Sequence, residues 1–356
     1  MNNQPQVSVI VPCFNQAIYL ADALESIALQ TYQNLEVIVI DDGSTDGNEA
    51  ILRSVCAIYQ QRFALKLLAI PNSGVALARN TAISQSTGEY ILPLDADDKL
   101  HPSFIETTLS VMRSLPSVSI VYTDYELFGD VNQYMHSEEY EYSRFLYEKN
   151  LCASTALFKR RAWLDAGGYN PNMIWGFEDW EFWISCAAKQ HFGKRVARSL
   201  FYYRKKIEGG TRNTGANANS PRLFARMALN HPNLYPTHRL KWAAHEWANA
   251  LVHIFESNDP AGLRYIKNLP LARLEAEAAL LKKLEVPVVT MKLYEYWIQH
   301  SSATDKQSAI FHHGLELETS GRQHEALECF TKCLSDTSYK IPAELAIKRI
   351  TQQLRV

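Results

Sequence analysis

Along the first third of the chain, short runs rich in Val, Ile and Leu alternate with stretches whose apolar residues recur at helical spacing. The runs predict strands over 7–11, 35–40, 65–70, 90–94 and 118–123, and the spacing between them predicts helices over 17–29, 47–59, 75–84 and 102–115. Alternation of this kind implies an α/β fold, a mainly parallel sheet with helices on both faces. From about 125 to 222 the pattern loosens, with an aromatic, acidic segment over 134–147 and a Gly, Asn and Ser-rich loop or linker over 209–220. Beyond it only helical spacing remains, over 240–255, 271–284, 288–300, 307–319, 324–334 and 342–354. The expected division is therefore an α/β unit over 1–222 and an all-α unit over 223–356.

Composition narrows the function classes. A chain of 356 residues, 47% hydrophobic and 21% charged, has ample material for packed cores and does not read as disordered. A formal net charge of −2 carries no electrostatic footprint for nucleic acid, so any anionic partner must be held locally. The six cysteines lack the spacing of a secreted disulfide scaffold or of paired zinc ligands, and reduced thiols are expected. Cys329 and Cys333 share a helix face with His324 nearby, where core packing is favoured over a metal clip. The N-terminal residues lack a signal-peptide pattern, and no apolar run reaches the ~20 residues of a membrane span. A cytoplasmic location is expected, with peripheral contact at the inner membrane face left open.

The chemistry gathers where the strands end. Four successive strands run into "PCFN" (12–15), "DDGSTDG" (41–47), "PNSG" (71–74) and "DADD" (95–98), and ligands of open α/β sheets sit beyond the carboxyl ends of strands. Asp95, Asp97 and Asp98 crowd three carboxylates into four positions, more than capping the next helix requires. A hard divalent ion, Mg²⁺ or Mn²⁺, explains them economically, because it takes carboxylate oxygen and shares its shell with substrate phosphates. One of the three aspartates can still be a helix cap. Neither a Walker A loop nor GxGxxG is present, so phosphate charge must be met by metal and nearby bases. Arg79 can reach this edge, although alone it reads as a solvated helix residue. Glu178 and Asp179 open "EDWEFWISCAA", where an acidic first turn also complements the helix dipole.

Taken in order, "VSVIVPCFNQAIYLADALESIALQTYQNLEVIVIDDGSTDG", "NSGVALARNTAISQSTGEYILPLDADD" and "GFEDWEFWI" resemble the family 2 glycosyltransferases of the GT-A fold, over roughly the first two thirds of the chain. The resemblance implies a GT-A Rossmann-like mixed sheet and transfer of one sugar from a nucleotide-sugar, a UDP-sugar favoured, to a carbohydrate, lipid-linked or protein acceptor with inversion. It implies that Pro12, Phe14 and Asn15 frame the base and that Asp42 reads its edge. Asn72 and Arg79 would line base, ribose or diphosphate. Asp95, Ala96 and Asp97 match the DxD motif, with Asp95 beside ribose and metal and Asp97 as the direct ligand of Mn²⁺ or Mg²⁺. Asp98 would support the loop. Asp179 matches the general base and Glu178 its neighbour on the acceptor side. Of the flanking aromatics, Trp175 or Phe177 is the better acceptor contact, since Trp180 and Trp183 share a helix face and are expected in the core.

Departures from the family matter equally. Relatives often carry a histidine shortly after the Tyr-Arg that matches Tyr203 and Arg204, whereas this chain has Lys205 and Lys206. Either a lysine neutralises the diphosphate or the metal is held less tightly. The QxxRW signature of processive synthases is absent, which suits single-sugar transfer. In the all-α part, Gly314, Ala326 and Phe330 sit at tetratricopeptide-repeat spacing, and a repeat-like surface for a protein partner and a capping bundle are both open. The competing functions are a sugar-phosphate nucleotidyltransferase, which would need a Gly-rich basic first loop, and an inactive scaffold of the same fold.

Overall fold

The computed structural model describes residues 4–207, 216–283, 287–301 and 306–354, and the chain divides between Asn219 and Ser220 into two compact units. Of the expected linker over 209–220, the part up to 215 lies outside the described residues.

In the first unit, the strands are β1 (Val7–Cys13), β2 (Leu35–Asp41), β3 (Ala64–Ala69), β4 (Tyr90–Pro93), β5 (Lys99–Leu100), β6 (Val118–Gly129), β7 (Gln133–Met135), β8 (Leu157–Lys159) and β9 (Phe192–Lys205). They form one sheet in the order β3-β2-β1-β4-β8-β6-β9-β5, with β7 added to β6. The first four run parallel, as their crossover helices require. β8 then pairs antiparallel with both β4 and β6, and β5 pairs antiparallel with β9. The sheet is therefore mixed: pairing is parallel from β3 through β4 and again between β6 and β9, and antiparallel where β8, β7 and β5 join.

Burial explains why the parallel half is so apolar. All seven residues of β1 are buried, as is every residue of β4, because helices cover both faces. The helices are α1 (Leu20–Ala28), α2 (Glu49–Tyr59), α3 (Val75–Ser84), α4 (Phe104–Ser114), α5 (Tyr142–Tyr147), α6 (Arg160–Ala166) and α7 (Glu178–Ala188). Val9, Val37 and Leu92 from adjacent strands join Leu24, Phe104 and Leu109 from the helices in one core cluster. The opposite side of the sheet receives α3, whose inward face is Ala76, Ala78, Ala82 and Ile83 together with a fully buried Arg79. Four parallel strands deliver their carboxyl ends, and the loops that follow, to one edge.

Five strands differ from the sequence reading: the short β5, β7 and β8 carry no signal in it, and β6 and β9 differ for reasons of pairing. β6 continues to Gly129, past the expected end at 123, because Tyr125 to Gly129 pair with β9 on one side and part of that run with β7 on the other. β9 itself went unmarked: Lys194, Arg195 and Arg198 interrupt its apolar residues, and register shifts in its pairing with β6 break the period of two.

In the second unit, the helices are α8 (Ser220–Asn230), α9 (Thr237–Ser257), α10 (Pro260–Lys267), α11 (Leu271–Lys283), α12 (Pro287–His300), α13 (Gln307–Thr319), α14 (Gln323–Cys333) and α15 (Lys340–Gln353). α8 and α10 were not marked in the sequence. α13 and α14 form a helical hairpin turned at Gly321, and Phe330 packs onto Gly314, where an added Cβ would lie 2.9 Å from its ring. Ala326, Phe330 and Cys333 join Leu317, Ala343, Ala346 and Ile350 in the core of this hairpin and α15. Cys333 is thus a packing residue, and no group of three His, Cys, Asp or Glu side chains placed to hold a metal occurs among the described residues.

Candidate active site

The loops after β1, β2 and β3 are stitched together by side chains. Asn15 adopts a left-handed backbone conformation (φ 55°), its amide donates to Ser44 Oγ (3.0 Å), and its Oδ1 accepts from the Thr45 amide (2.8 Å). Asp41 Oδ1 in turn accepts from the Ser44 amide and hydroxyl. Asp42 is buried, and its two oxygens accept from the amides of Ser73 (2.6 Å) and Gly74 (2.9 Å), at the free N-terminus of α3. Gly43 is required where it stands: its φ is +68°, and a Cβ there would come within 2.5 Å of the Asn72 nitrogen.

Around this frame the expected base-site residues collect. Phe14 leaves 42% of its surface exposed, an unusual position for a phenylalanine and one open to stacking. Asn72 Oδ1 is buried without a hydrogen-bond partner, an acceptor that a ligand donor can satisfy. Pro12 is buried inside β1, two residues before the exposed Phe14.

The acidic loop after β4 alternates. Asp95 and Asp97 are half-buried at the open side, while Ala96 and Asp98 are buried. Ala96 therefore offers the site backbone rather than side chain. Asp98 does not cap α4: its Oδ1 accepts from the backbone amide of Arg204 (2.8 Å), and burial raises its pKa well above the usual carboxylate value. Asp97 is also pushed upward by burial, with the Lys206 ammonium, 2.9 Å from its Oδ2, pulling it back and Asp95 adding to the rise.

Arg79 is placed differently from its sequence reading. It is neither solvated nor open to a nucleotide: its guanidinium is fully buried, with Nη2 2.7 Å from Asp95 Oδ1 and Nη1 2.9 Å from Glu178 Oε1. The face of Tyr169 lies 5.4 Å from its Cζ. Tyr169 is itself fixed by Asn80, which accepts from its amide and donates to its carbonyl. Burial works against the Arg79 charge, but Asp95 and Glu178 outweigh it and hold the guanidinium firmly protonated. Arg79 is thus a strut that ties the acidic loop to the start of α7.

The start of α7 is aimed by an unusual turn. Gly176 (φ +130°) and Phe177 (φ 58°) both lie at positive φ, and a side chain at Gly176 would meet Ala216 at 2.8 Å. Positive φ is costly for a phenylalanine, and such backbone is retained where it sets the direction of a functional group. The groups so directed are Glu178, buried on Arg79, and Asp179, whose Oδ2 accepts from Asn150 Nδ2 (2.9 Å). Burial, followed by the Glu178 charge, pushes the Asp179 carboxyl up to about 6, against the pull of Arg79. Asn150 was not foreseen, since a lone asparagine in an irregular segment carries no sequence signal. Trp180 and Trp183 are in the core, as their spacing predicts, and Trp175 and Phe177 are half-buried beside the turn.

For a divalent ion, the donor set at the loop is Asp95 and Asp97, both hard oxygen ligands. Two carboxylates that leave the rest of the shell to phosphate oxygens and water fit Mg²⁺ or Mn²⁺ better than a metal needing a full protein cage.

Residues 8–166 match the model of glycosyl transferase family 2. An uncharacterised glycosyltransferase of Rickettsia conorii is 30% identical over 220 residues, which is 59% of this chain and 34% of that protein. The Escherichia coli chondroitin synthase is 32% identical over 173 residues, 48% of this chain and 25% of that protein. The chain thus spans about a third or less of the length of these curated relatives. Among solved structures, Staphylococcus aureus TarS 1–349 in complex with UDP-GlcNAc aligns with a TM-score of 0.52 at 19% identity, over 89% of this chain and 92% of that one. The Pyrobaculum calidifontis mannosyltransferase PcManGT in complex with GDP-Man and Mn²⁺ aligns with a TM-score of 0.51 at 22% identity, over 83% and 86%. At these identities the likeness shows the fold, which is the GT-A arrangement of a mixed sheet with helices followed here by a helical region. Residues 8–166 thus carry a glycosyl transferase family 2 domain, the part of the chain that these glycosyltransferase relatives share.

Proposed function

We propose that this protein transfers a single sugar from a nucleotide-sugar, a UDP-sugar by preference, to an acceptor hydroxyl with inversion at the anomeric carbon. The observation that carries the reading is the Arg79 strut, which draws Asp95 of the acidic loop and Glu178, the neighbour of Asp179, onto one guanidinium.

Phe14 and Asn72 would receive the base, with Asp42 accepting from a ring N–H such as that of uracil. Asp97 and Asp95 would hold Mn²⁺ or Mg²⁺, which supplies positive charge to the nucleoside diphosphate as it leaves. Asp179, with its carboxyl near 6, is ionised at neutral pH yet basic enough to take the acceptor proton. As that proton passes to Asp179, the acceptor oxygen bonds to the anomeric carbon and the bond from that carbon to the diphosphate breaks. Asn150 orients the carboxylate, and Arg79 fixes Glu178 beside it. The names of curated relatives, chondroitin and hyaluronan synthases among them, support a carbohydrate acceptor over a protein one. The residues support no nucleotidyltransferase reading, since the first loop, "PCFNQ", has no basic side chain.

A panel of nucleotide-sugars with Mn²⁺, scored by thermal shift and by slow donor hydrolysis, tests this. A UDP-sugar is expected to raise the melting temperature and to be hydrolysed without acceptor. A flat response to every donor overturns the reading.

A further inference from the structure

At the end of β9, Arg204 is held from every side. Its amide donates to Asp98 Oδ1 (2.8 Å), its Nε donates to the Asp97 carbonyl (2.8 Å), and Nη2 pairs with Asp22 (2.7 Å). Its guanidinium lies between the rings of Tyr19 and Phe128, 4.6 and 4.4 Å from their centroids. Just past the end of β9 at Lys205, Lys206 follows Arg204 toward the acidic loop. The Lys206 ammonium sits 2.9 Å from Asp97 Oδ2 and 4.0 Å from the Tyr19 ring centroid. It is therefore guided by a ring and a rigid neighbour, not by an incidental surface encounter. The carboxylate it neutralises, Asp97, is the one that the donor-site reading assigns to the divalent ion.

We propose that Lys206 is a built-in counter-cation that competes with the divalent ion for Asp97, so that the protein binds the ion weakly alone and well only together with the nucleotide diphosphate. The inference rests on the donor-site reading above. Two positive groups cannot share one carboxylate oxygen at close range without mutual repulsion, so an arriving ion must displace Lys206. Without a diphosphate, the displaced ammonium loses its anion. With one, it gains phosphate oxygens beside the same loop, and the ion gains ligands. Lys206 thereby couples metal binding to donor binding, and it answers the choice left open by the missing histidine: the lysine and the weak metal site are two sides of one device.

The test measures Mn²⁺ binding by electron paramagnetic resonance of the free ion, on the whole chain, with and without UDP. Without UDP, Lys206→Gln is expected to bind Mn²⁺ at least about fivefold more tightly than the unaltered protein, a difference of about 1 kcal/mol. Lys206→Arg, which keeps the charge, should stay close to the unaltered protein. With UDP present the advantage of Lys206→Gln should shrink or reverse. Equal affinity of Lys206→Gln and the unaltered protein without UDP overturns the inference while leaving the donor site standing. Absence of Mn²⁺ binding in all three proteins, even with UDP, overturns the metal reading as well. A second readout needs no variant: labelling of Lys206 by an amine-reactive ester, followed by peptide mass spectrometry, should rise as Mn²⁺ is added without nucleotide. Labelling that stays constant while the free-ion signal shows Mn²⁺ being bound also overturns the competition.

Discussion

The Arg79 guanidinium reaches across 99 positions of sequence to stand 2.9 Å from Glu178, with no solvent exposure at the arginine. Removing one partner of a buried ion pair leaves the other charge uncompensated, at a cost of about 3–5 kcal/mol. Arg79→Ala should therefore lower the unfolding free energy of the first unit, obtained by urea titration, by an amount of that order and abolish transfer. Arg79→Lys should recover part of the stability, but it cannot serve two carboxylates with a fork and should leave transfer depressed. Unfolding curves and transfer rates measured on the same preparations check both.

Asp179→Asn keeps the shape of the side chain and removes its basicity. Transfer should fall by about 10²–10⁴-fold, the usual contribution of a positioned base. UDP affinity, measured by calorimetry, should be unchanged, because Asp179 stands at α7 and not in the loops that gather Phe14, Asp42 and Asn72. Transfer close to that of the unaltered protein would remove Asp179 as the base.

A raised carboxyl predicts an acid limb. Below about 6 Asp179 is protonated and cannot accept a proton, so kcat/KM should fall as pH decreases through that value and level off above it. Asn150 donates to the ionised form and so favours it; Asn150→Ala should move the limb to higher pH. A pH–rate profile of the two proteins checks the sign, and a limb that stays in place would show that Asn150 does not tune the base.

In the second unit, Gly314→Val puts a branched side chain where a single Cβ already comes within 2.9 Å of Phe330. Overpacking of this kind costs about 1–3 kcal/mol. The variant should lose stability in thermal unfolding while UDP affinity stays constant, which would show that donor binding belongs to the first unit alone.

The parallel half of the sheet was legible because strands buried on both faces leave nearly continuous apolar runs, as in "VSVIV" and "LEVIVI". α3 was read at its observed limits, yet the burial of Arg79 within it was invisible: an arginine in a helix of small residues looks solvated until its two carboxylates are known. The gathering of acidic residues at one edge also followed from the sequence, through the order of strands and loops. What did not follow were the contacts made by the irregular middle. β8 has only three residues, β9 mixes polar and apolar positions, and the bond from Lys206 to Asp97 joins positions 109 apart. Local period carries no information about such closures; they depend on where β9 is docked by Arg204.

The in-and-out burial of residues 95–98 has one more implication, for what variation the protein can absorb. These residues form a turn closed by the Asp98 amide on the Asp95 carbonyl (3.0 Å), so inserting or deleting one residue there would break the closure and shift Asp95, Asp97 and Asp98 away from Arg79, Lys206 and the Arg204 amide. Length and chemistry are therefore constrained together at this point, because the same contacts hold the turn and the carboxylates it carries.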